Sequence, residues 1–478
     1  MADPTFERAP LEPTGEEMRR LVDAAMRRIV QHVESLGEQP AAVDDLEAGL
    51  ALAHRLEEAL PWVGSDLDTV LDLLFDRVIG HSFNAAGPGY LAYIPGGGLF
   101  LSAVADLVAG SVNRYTGVFA AAPGLVQLEL NVVRWLCDLV GFGQGAGGFL
   151  SSGGSTATLS AVVTARQEKL GESFLDGVLY VSDQVHHCVT KAARLAGIPA
   201  GRIRVVPTEE DGRLSPARVA ARLAEDRRAG LRPFLIVGSA GTVNTGAVDP
   251  LAGLGELAAR ERLWFHVDAA YGGFFLLTER GRQRLKGIER AHSVVLDPHK
   301  GLFVPYGCGA LVVRDRGALR RAHGQDADYL PPLHEDEGRV DFCEITPELS
   351  RPYRGLRVWL PLKVYGAAAF RRELDEKLDL ALDLAAELER TEGIELVAPP
   401  TLSLLALRVV RPGATGERLD ELTHELQRRV NHRNRVHLTG TRFGGRYVLR
   451  VCVLSFRTHR ERVEMALEDL RAGLAELD

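Results

Sequence analysis

Apolar residues recur along this chain with two different periods. Residues 14–60 place apolar side chains three and four positions apart with charged residues between them, which predicts amphipathic helices. From residue 148 onward, short continuous apolar runs alternate with helical stretches. The runs lie at 148–152, 177–182, 202–207, 233–240, 263–270, 293–298 and 309–315. Continuous apolar strands joined by helices predict an α/β fold with a mostly parallel sheet covered on both faces.

The pattern changes again beyond about residue 358. A long helical stretch, 359–390, leads into two further apolar runs with a helix between them, which predicts a small α/β domain. We therefore expect three segments. They are an N-terminal helical segment (1–85), a large domain (86–360) and a small C-terminal α/β domain (361–478). The N-terminal helices have too few partners to bury their apolar faces alone, so we expect them to pack on another part of the molecule or on a second subunit.

Composition and charge narrow the class of protein. A chain of 478 residues exceeds one hydrophobic core, and its formal net charge of -8 without a dominant basic stretch argues against a nucleic-acid partner. The five cysteines have no CxxC spacing, so we expect free thiols of a reducing cytoplasm. The N-terminus does not resemble a signal peptide, and no run reaches the ~20 apolar residues of a membrane span. A cytoplasmic protein without a membrane partner is expected.

Polar residues follow several of the predicted strands, at the edge where open α/β sheets bind ligands. In "SSGGSTATLS" (151–160), a Gly-Gly turn precedes Ser155 at a predicted helix start. Free backbone N–H groups and the hydroxyl could hold an anion there, although an N-cap alone would explain Ser155. In "HVDAAYGG" (266–273), Asp268 ends a strand. Its carboxylate needs a cationic partner if buried, or it forms only turn hydrogen bonds.

The stretch "DPHKG" (297–301) places Lys300 after a buried strand. Apolar surroundings would lower the pKa of this amine and make it a nucleophile that forms a Schiff base with an aldehyde. A single lysine at a strand end is more often a surface residue. Asp297 and His299 beside it could contact a phosphate or simply shape the turn.

The stretch "SDQVHH" (182–187) places His186 just after another strand, where it could be a structural histidine or stack on an aromatic cofactor ring. An anion cradle, a strand-end carboxylate, a nucleophilic lysine and a flat imidazole are together what pyridoxal 5'-phosphate requires. We therefore predict this cofactor. No metal site is expected, because no further ligand cluster accompanies His186.

These motifs resemble those of the pyridoxal-phosphate-dependent group II amino-acid decarboxylases, the family of aromatic-L-amino-acid, histidine and glutamate decarboxylases. The resemblance runs from about residue 19 to the C-terminus and also includes "AAPGLVQLELNVVRWLCDLVG" and "YRGLRVWLPLKVYG". It implies the fold type I of pyridoxal-phosphate-dependent transferases, which is aspartate aminotransferase-like, with a seven-stranded sheet. It also implies a homodimer with its active sites at the interface.

The resemblance implies a role for each residue that faces the cofactor ring. Lys300 would carry the cofactor as a Schiff base, and Asp268 would pair with the pyridinium nitrogen. His186 would cover one face of the ring, with Ala270 beneath the other.

Four residues would surround the rest of the cofactor by the same resemblance. Gly154, Ser155 and His299 would hold the phosphate. Thr242, in "GSAGTVNTGAVD", would line the cofactor site.

The reaction implied by the resemblance is decarboxylation of an L-amino acid to an amine and carbon dioxide. Tyr329 lies in "GQDADYLPPLHEDEG" (324–338), which resembles the mobile catalytic loop of the family, and would return a proton to the α-carbon, relayed by His186. The predicted catalytic residues are thus Lys300, Tyr329 and His186. An aldehyde synthase or aminotransferase on the same fold, a cofactor-free binding protein and a metal enzyme are alternatives. Tyr329 could also be a surface-loop anchor.

Six residues predict a mainly apolar substrate pocket, which favours an aromatic or bulky apolar L-amino acid. They are Tyr93, Ile94, Pro95, Tyr115, Phe119 and Tyr306. Gly117 stands where aromatic-specific members of the family are often bulky. Arg114, with Arg351 or Arg354, keeps a decarboxylase of acidic or polar amino acids possible. The sequence does not fix the amino acid, the pathway or the regulation.

Overall fold

The computed structural model describes residues 11–43, 46–324 and 339–477. Its α-helices are α1 (Gly15–Ser35), α2 (Leu46–Arg55), α3 (Leu67–Asp72), α4 (Phe100–Val112), α5 (Pro123–Val140), α6 (Gly154–Leu170), α7 (His187–Leu195), α8 (Pro216–Arg228), α9 (Leu251–Glu261), α10 (Glu279–Arg284), α11 (Pro298–Gly301), α12 (Arg316–His323), α13 (Phe342–Ile345), α14 (Gly355–Tyr365), α15 (Ala367–Glu389), α16 (Gly416–His432) and α17 (Arg460–Ala475). Its strands are β1 (Gly147–Ser151), β2 (Gly177–Ser182), β3 (Ile203–Val206), β4 (Arg232–Ser239), β5 (Trp264–Asp268), β6 (Ser293–Leu296), β7 (Gly309–Val313), β8 (Ile394–Ala398), β9 (Leu404–Val409), β10 (Thr439–Phe443) and β11 (Arg446–Cys452).

The first seven strands form one sheet in the order β1-β7-β6-β5-β4-β2-β3. β7 runs antiparallel to its neighbours β1 and β6, and the remaining pairs are parallel. Every residue of β2, β6 and β7 is buried, because helices cover both faces of the sheet. The predicted α/β class, the seven strands and the mostly parallel sheet are confirmed.

The parallel pairing decides where the polar strand ends meet. Ser239 of β4 lies opposite Asp268 of β5, and Asp268 lies opposite Val295 of β6. Consequently the segments after β2, β4, β5 and β6 leave the sheet at one edge, which is where ligands bind in such sheets.

The second sheet has four antiparallel strands in the order β10-β11-β9-β8. It shares a hydrophobic core with α15, α16 and α17. The sequence pattern indicated β9 and β11 but not β8 and β10, which are partly exposed and mix polar with apolar residues. The long helix expected over 359–390 is two helices, because Gly366 adopts a left-handed φ of 73° between α14 and α15. The three segment limits stay predictions.

The N-terminal region leaves large apolar side chains in water. Trp62 is 89% exposed and Val63 is 83% exposed, in the segment between α2 and α3. None of the described helices has the length and apolar character that a bilayer span requires. Within the described part of the chain, no element covers the side chains of Trp62 and Val63.

A buried ion pair ties the segment before α14 to the large sheet. Arg351 Nη2 lies 2.5 Å from Glu129 Oε1 of α5, and both side chains are fully buried. The same guanidinium donates to the carbonyl oxygen of Leu150 in β1 and lies over the ring of Phe342. Buried charges of this kind need each other, since either alone would bear the full cost of desolvation.

We expect Glu129→Gln to lower the free energy of unfolding by about 3 to 5 kcal/mol, because it leaves the Arg351 charge buried without its counter-charge. Asp138→Asn is the matched control on the same helix, since its pair with Arg134 is largely exposed and is worth less than about 1 kcal/mol. Urea unfolding followed by circular dichroism measures both. Equal losses in the two variants would contradict the interpretation.

Candidate active site

A cavity of about 290 Å³ lies at the carboxyl edge of the parallel strands. Segments that follow β1, β2, β4, β5 and β6 line it. All eight predicted cofactor residues are among the lining residues: Gly154, Ser155, His186, Thr242, Asp268, Ala270, His299 and Lys300. Residues separated by more than a hundred positions in sequence are thus brought together by the order of the strands.

Lys300 forms an ion pair with a carboxylate in this cavity. Its Nζ lies 2.9 Å from Oδ2 of Asp297, a residue that is 2% exposed. Burial lowers the pKa of Lys300, but the carboxylates of Asp297 and Asp268 outweigh it and raise the pKa above its ordinary value. The expectation that apolar surroundings lower this pKa is therefore wrong. Asp297 was expected to contact a phosphate or to shape the turn, whereas one turn of α11 brings its carboxylate back to the ammonium.

Asp268 ends β5 and is held in place by its own turn. Its Oδ1 accepts a hydrogen bond from the backbone N–H of Ala270 at 3.2 Å. Asp268 thus has the local turn bond that was the alternative interpretation, and it also faces the cavity beside Lys300. A carboxylate in this position can hold a protonated ring nitrogen of a ligand.

His186 is the N-cap of α7, and its Nδ1 accepts from the backbone N–H of Cys188 at 3.3 Å. Burial lowers the pKa of His186, with the Asp268 carboxylate opposing this effect. The ring of His187 lies 4.2 Å from that of His186. Cys188 also lines the cavity and was not predicted as a site residue, because the sequence analysis treated the cysteines only as free thiols.

His299 is fixed by a hydrogen bond between its Nδ1 and the carbonyl oxygen of Cys308, at 2.6 Å. Because a carbonyl oxygen only accepts, Nδ1 carries the hydrogen, and the neutral ring has none on Nε2. Nε2 lies 3.7 Å from Asp297 Oδ2. Burial lowers the pKa of His299, while the Asp297 carboxylate raises it.

The turn between β1 and α6 lies at the cavity and carries Gly154 and Ser155, which were predicted to hold a phosphate. A Cβ on Gly154 would lie 2.9 Å from Oδ2 of Asp297, so a larger residue at this position would collide with the carboxylate. The first N–H groups of a helix have no partners within the helix, and α6 begins at Gly154 beside the Ser155 hydroxyl.

Thr242 lies in a loop that connects the cavity to the second sheet. Its hydroxyl pairs with that of Thr245, and its N–H donates to the carbonyl oxygen of Ala247. In the same loop, the side chain of Asn244 donates to Gln184 and accepts from Thr441 of β10. The loop is therefore fixed from both sheets.

The six residues predicted for the substrate pocket do not line this cavity in the described chain. Tyr93 is half exposed, and its backbone is left-handed (φ 49°). Ile94 and Pro95 are buried, and Ile94 belongs to the main core. The side chain of Tyr306 is largely exposed and reaches the cavity only through His299, at 5.6 Å between ring centroids.

The last two residues predicted for the substrate pocket, Tyr115 and Phe119, contact other segments of the chain. The Tyr115 hydroxyl donates to the carbonyl oxygen of Leu349. Phe119 is half-buried, and its backbone N–H donates a hydrogen bond to Oδ1 of Asp341. Tyr329 lies outside the described residues. Its predicted role is untested by this geometry.

The donors of this cavity fit pyridoxal 5'-phosphate. Lys300 presents an amine, Asp268 presents a carboxylate at a strand end, and His186 presents a flat ring. Gly154 adds no side chain to the crowded space between the start of α6 and Asp297. The amine, the carboxylate and the flat ring are separate requirements of one ligand, and a single cavity brings them together.

Comparisons with known proteins agree with this fit. A family model described as the pyridoxal-dependent decarboxylase conserved domain matches residues 55–410. The aromatic-L-amino-acid decarboxylase of Bacillus atrophaeus is 34% identical over 464 residues, which cover 97% of this chain and 96% of that protein. The crystal structure of Oryza sativa TDC with PLP and tryptamine has a TM-score of 0.92 at 27% identity, covering 98% of this chain and 100% of that chain.

A third comparison concerns the fold alone. The Rhodiola rosea 4-hydroxyphenylacetaldehyde synthase has a TM-score of 0.90 at 23% identity and covers 98% of this chain and 100% of its own. The predicted fold type I is confirmed by these structures. Because the family model matches most of the chain and the cavity holds the residues that the cofactor requires, the chain belongs to the pyridoxal-dependent decarboxylases and is an amino-acid decarboxylase with pyridoxal 5'-phosphate as its cofactor.

Proposed function

We propose that this decarboxylase acts on an aromatic L-amino acid and that it works as a cytoplasmic homodimer. The observation that carries the proposal is the convergence of Lys300, Asp268 and His186 on one cavity at the strand ends. The names of similar proteins support an aromatic substrate, since they include an aromatic-L-amino-acid decarboxylase and a structure with tryptamine. Five free cysteines support a reducing compartment.

Two of the three arginines that could have favoured an acidic substrate, Arg351 and Arg354, are engaged elsewhere. Arg351 pairs with the buried Glu129, and Arg354 forms two hydrogen bonds with Glu348. A guanidinium already committed to a carboxylate is not free to grip a substrate side chain. This supports an apolar substrate over a glutamate-like one.

Bound pyridoxal 5'-phosphate supplies an aldehyde that condenses with amines and a ring that withdraws electrons from the substrate α-carbon. In our proposal Lys300 provides the amine that holds it, and Asp268 keeps the ring nitrogen protonated. His186 covers one face of the ring and Ala270 supports the other. The Asp297 carboxylate keeps Lys300 charged until the amine is needed, because the ion pair raises the pKa of Lys300.

The other proposed roles concern the phosphate and the proton. Gly154, Ser155 and His299 hold the phosphate, and Thr242 lines the site from the loop that the second sheet fixes. Tyr329 returns a proton to the α-carbon after carbon dioxide leaves. A tyrosine in that position favours amine over aldehyde as the product.

The homodimer is supported by an apolar surface that the described chain leaves uncovered. Trp62 and Val63 are almost fully exposed, and Leu107 and Val108 of α4 are about half exposed. Large apolar side chains exposed in this way are typical of interaction sites. Tyr93 and Tyr306 are also more than half exposed, so a second subunit would complete the proposed apolar substrate pocket at the interface.

Purified enzyme loaded with cofactor should release carbon dioxide and amine in equal amounts from an aromatic L-amino acid, tested with tryptophan, tyrosine, phenylalanine, DOPA and 5-hydroxytryptophan against glutamate. Tyr329→Phe should lower the rate of amine formation by at least about 100-fold, because it removes the proton donor. Tyr365→Phe, on the exposed side of α14, is the control. Amine formation at the unchanged rate by Tyr329→Phe would refute the proposed role.

Gly154→Ala should weaken cofactor binding by more than about tenfold, because the added Cβ would collide with the Asp297 carboxylate beside the proposed phosphate site. Gly201→Ala is the control, since a Cβ there meets nothing within 4 Å. Equilibrium dialysis with pyridoxal 5'-phosphate measures the dissociation constants. Unchanged affinity in Gly154→Ala would exclude a phosphate close to this turn.

Trp62→Asp should shift the protein from dimer to monomer, because a carboxylate cannot be buried unpaired in an apolar interface. Leu175→Asp is the matched control at an exposed apolar position of the large domain, in the turn before β2. Sedimentation velocity at several protein concentrations distinguishes the two states. A wild-type protein that stays monomeric throughout would end the homodimer proposal.

A further inference from the structure

The charges around the cavity do not suit an anion as they stand. Among the described residues that line it, Lys300 is the one lysine or arginine, and it faces two carboxylates, Asp268 and Asp297. Burial lowers the pKa of both His186 and His299, which favours the neutral form of each ring. The lining residues therefore carry an excess of negative charge. A phosphate monoester, whose second pKa is about 6, would add nearly two more negative charges at neutral pH.

A protonated pyridine ring, once bound, would balance the negative charge of Asp268. It would leave the negative charge of Asp297 unbalanced. Its Oδ2 pairs with Lys300 at 2.9 Å, and Lys300 is the amine that must bond to the cofactor. Its Oδ1 is buried and has no hydrogen-bond partner among the described residues. Both oxygens lie within 3.1 Å of the position that a Cβ on Gly154 would take. The Asp297 carboxyl group thus lies against the turn that is proposed to hold a dianion.

The neighbouring His299 ring, like the Asp297 carboxylate, has no hydrogen to donate where the two groups meet. The Nδ1 hydrogen of His299 is used by the carbonyl oxygen of Cys308, so Nε2 of the neutral ring can only accept. Nε2 and Asp297 Oδ2 are therefore two acceptors that face each other at 3.7 Å. One proton between them would turn the contact into a hydrogen bond and would remove one negative charge from the cavity.

We propose that the pair formed by Asp297 and His299 takes up one proton when the cofactor phosphate binds, and that the Asp297 carboxylate makes this uptake necessary. The inference rests on the proposed phosphate site at Gly154 and Ser155. The proton comes from solvent and is shared within the pair or with a phosphate oxygen. The other titratable or charged groups that act on the pair are Lys300, Asp268, His186, Cys188, Cys308, Tyr306 and Arg357.

The test uses ligands without an aldehyde, so that Lys300 cannot bond to them and contributes no proton of its own. Titration calorimetry of 4'-deoxypyridoxine 5'-phosphate in buffers of different ionisation enthalpy gives the number of protons taken up per ligand. The same measurement with 4'-deoxypyridoxine, which lacks the phosphate, is subtracted to remove the contribution of the ring nitrogen. At about pH 8 the difference should be close to one proton for the wild-type protein.

Asp297→Asn should bring this difference to about zero, because the amide can donate to the phosphate without taking up a proton. His299→Gln then locates the proton: loss of uptake places it on the imidazole, and retained uptake places it on the carboxylate, both within the proposed pair. An uptake in Asp297→Asn equal to that of the wild type overturns the inference. Circular dichroism and the binding enthalpy itself confirm that each variant is folded and binds.

A second measurement needs only the wild-type protein, in case the variants do not fold. The affinity for the phosphorylated ligand should fall about tenfold per pH unit from about pH 8 to 9, relative to the ligand without phosphate. The sign follows because the bound state holds one proton more than the free state, so rising pH opposes binding. Tight binding that is independent of pH overturns this inference alone. Absence of binding by either ligand would instead overturn the proposed cofactor site on which it rests.

Discussion

The burial of the parallel sheet on both faces is the constraint on which the rest of this structure depends. Strands such as β2 and β6 are covered by helices on both sides. An unpaired polar side chain on such a strand would therefore carry a large desolvation cost. The carboxyl edge is where the chain leaves the sheet and where backbone N–H groups, carboxylates and imidazoles can reach solvent or a ligand. Lys300, Asp268 and His186 each occupy such a position. The site is a consequence of the architecture.

Two ion pairs among the described residues show how opposite charges are buried together in this molecule. Glu129 and Arg351 are both fully buried and hold the segment before α14 against β1. Lys300 and Asp297 form the corresponding pair inside the cavity, with one difference. The first pair is fully enclosed, whereas in our proposal the second opens when Lys300 bonds to the cofactor. Both pairs are stabilised in the same way, because each charge compensates the desolvation of the other. They differ in whether the surroundings allow one partner to be replaced.

The second sheet contributes to the site without lining the cavity. Arg450 of β11 donates to the carbonyl oxygens of Asn244 and Tyr93, which belong to a cavity loop and to the proposed substrate wall. Thr441 of β10 holds the side chain of Asn244. These bonds fix two loops of the large sheet from outside. A shift of the second sheet would accordingly be transmitted to both the cofactor side and the substrate side of the site.

The sequence by itself determined the fold class, the strands of the large sheet and eight of the residues that line the cavity. Continuous apolar runs are a local property, and strand-end residues are known once the strands are known, so Lys300, Asp268 and His186 could be read from the chain. Short, partly exposed strands such as β8 and β10 lack such a signal. The tertiary structure alone decided that Asp297 is the buried counter-charge of Lys300 and reverses the expected shift in its pKa, that Arg351 and Arg354 are committed to other carboxylates, and that Tyr93 and Tyr306 lie outside the cavity. Charge pairing and pocket walls depend on distances between segments far apart in sequence, and those distances exist only after the chain has folded.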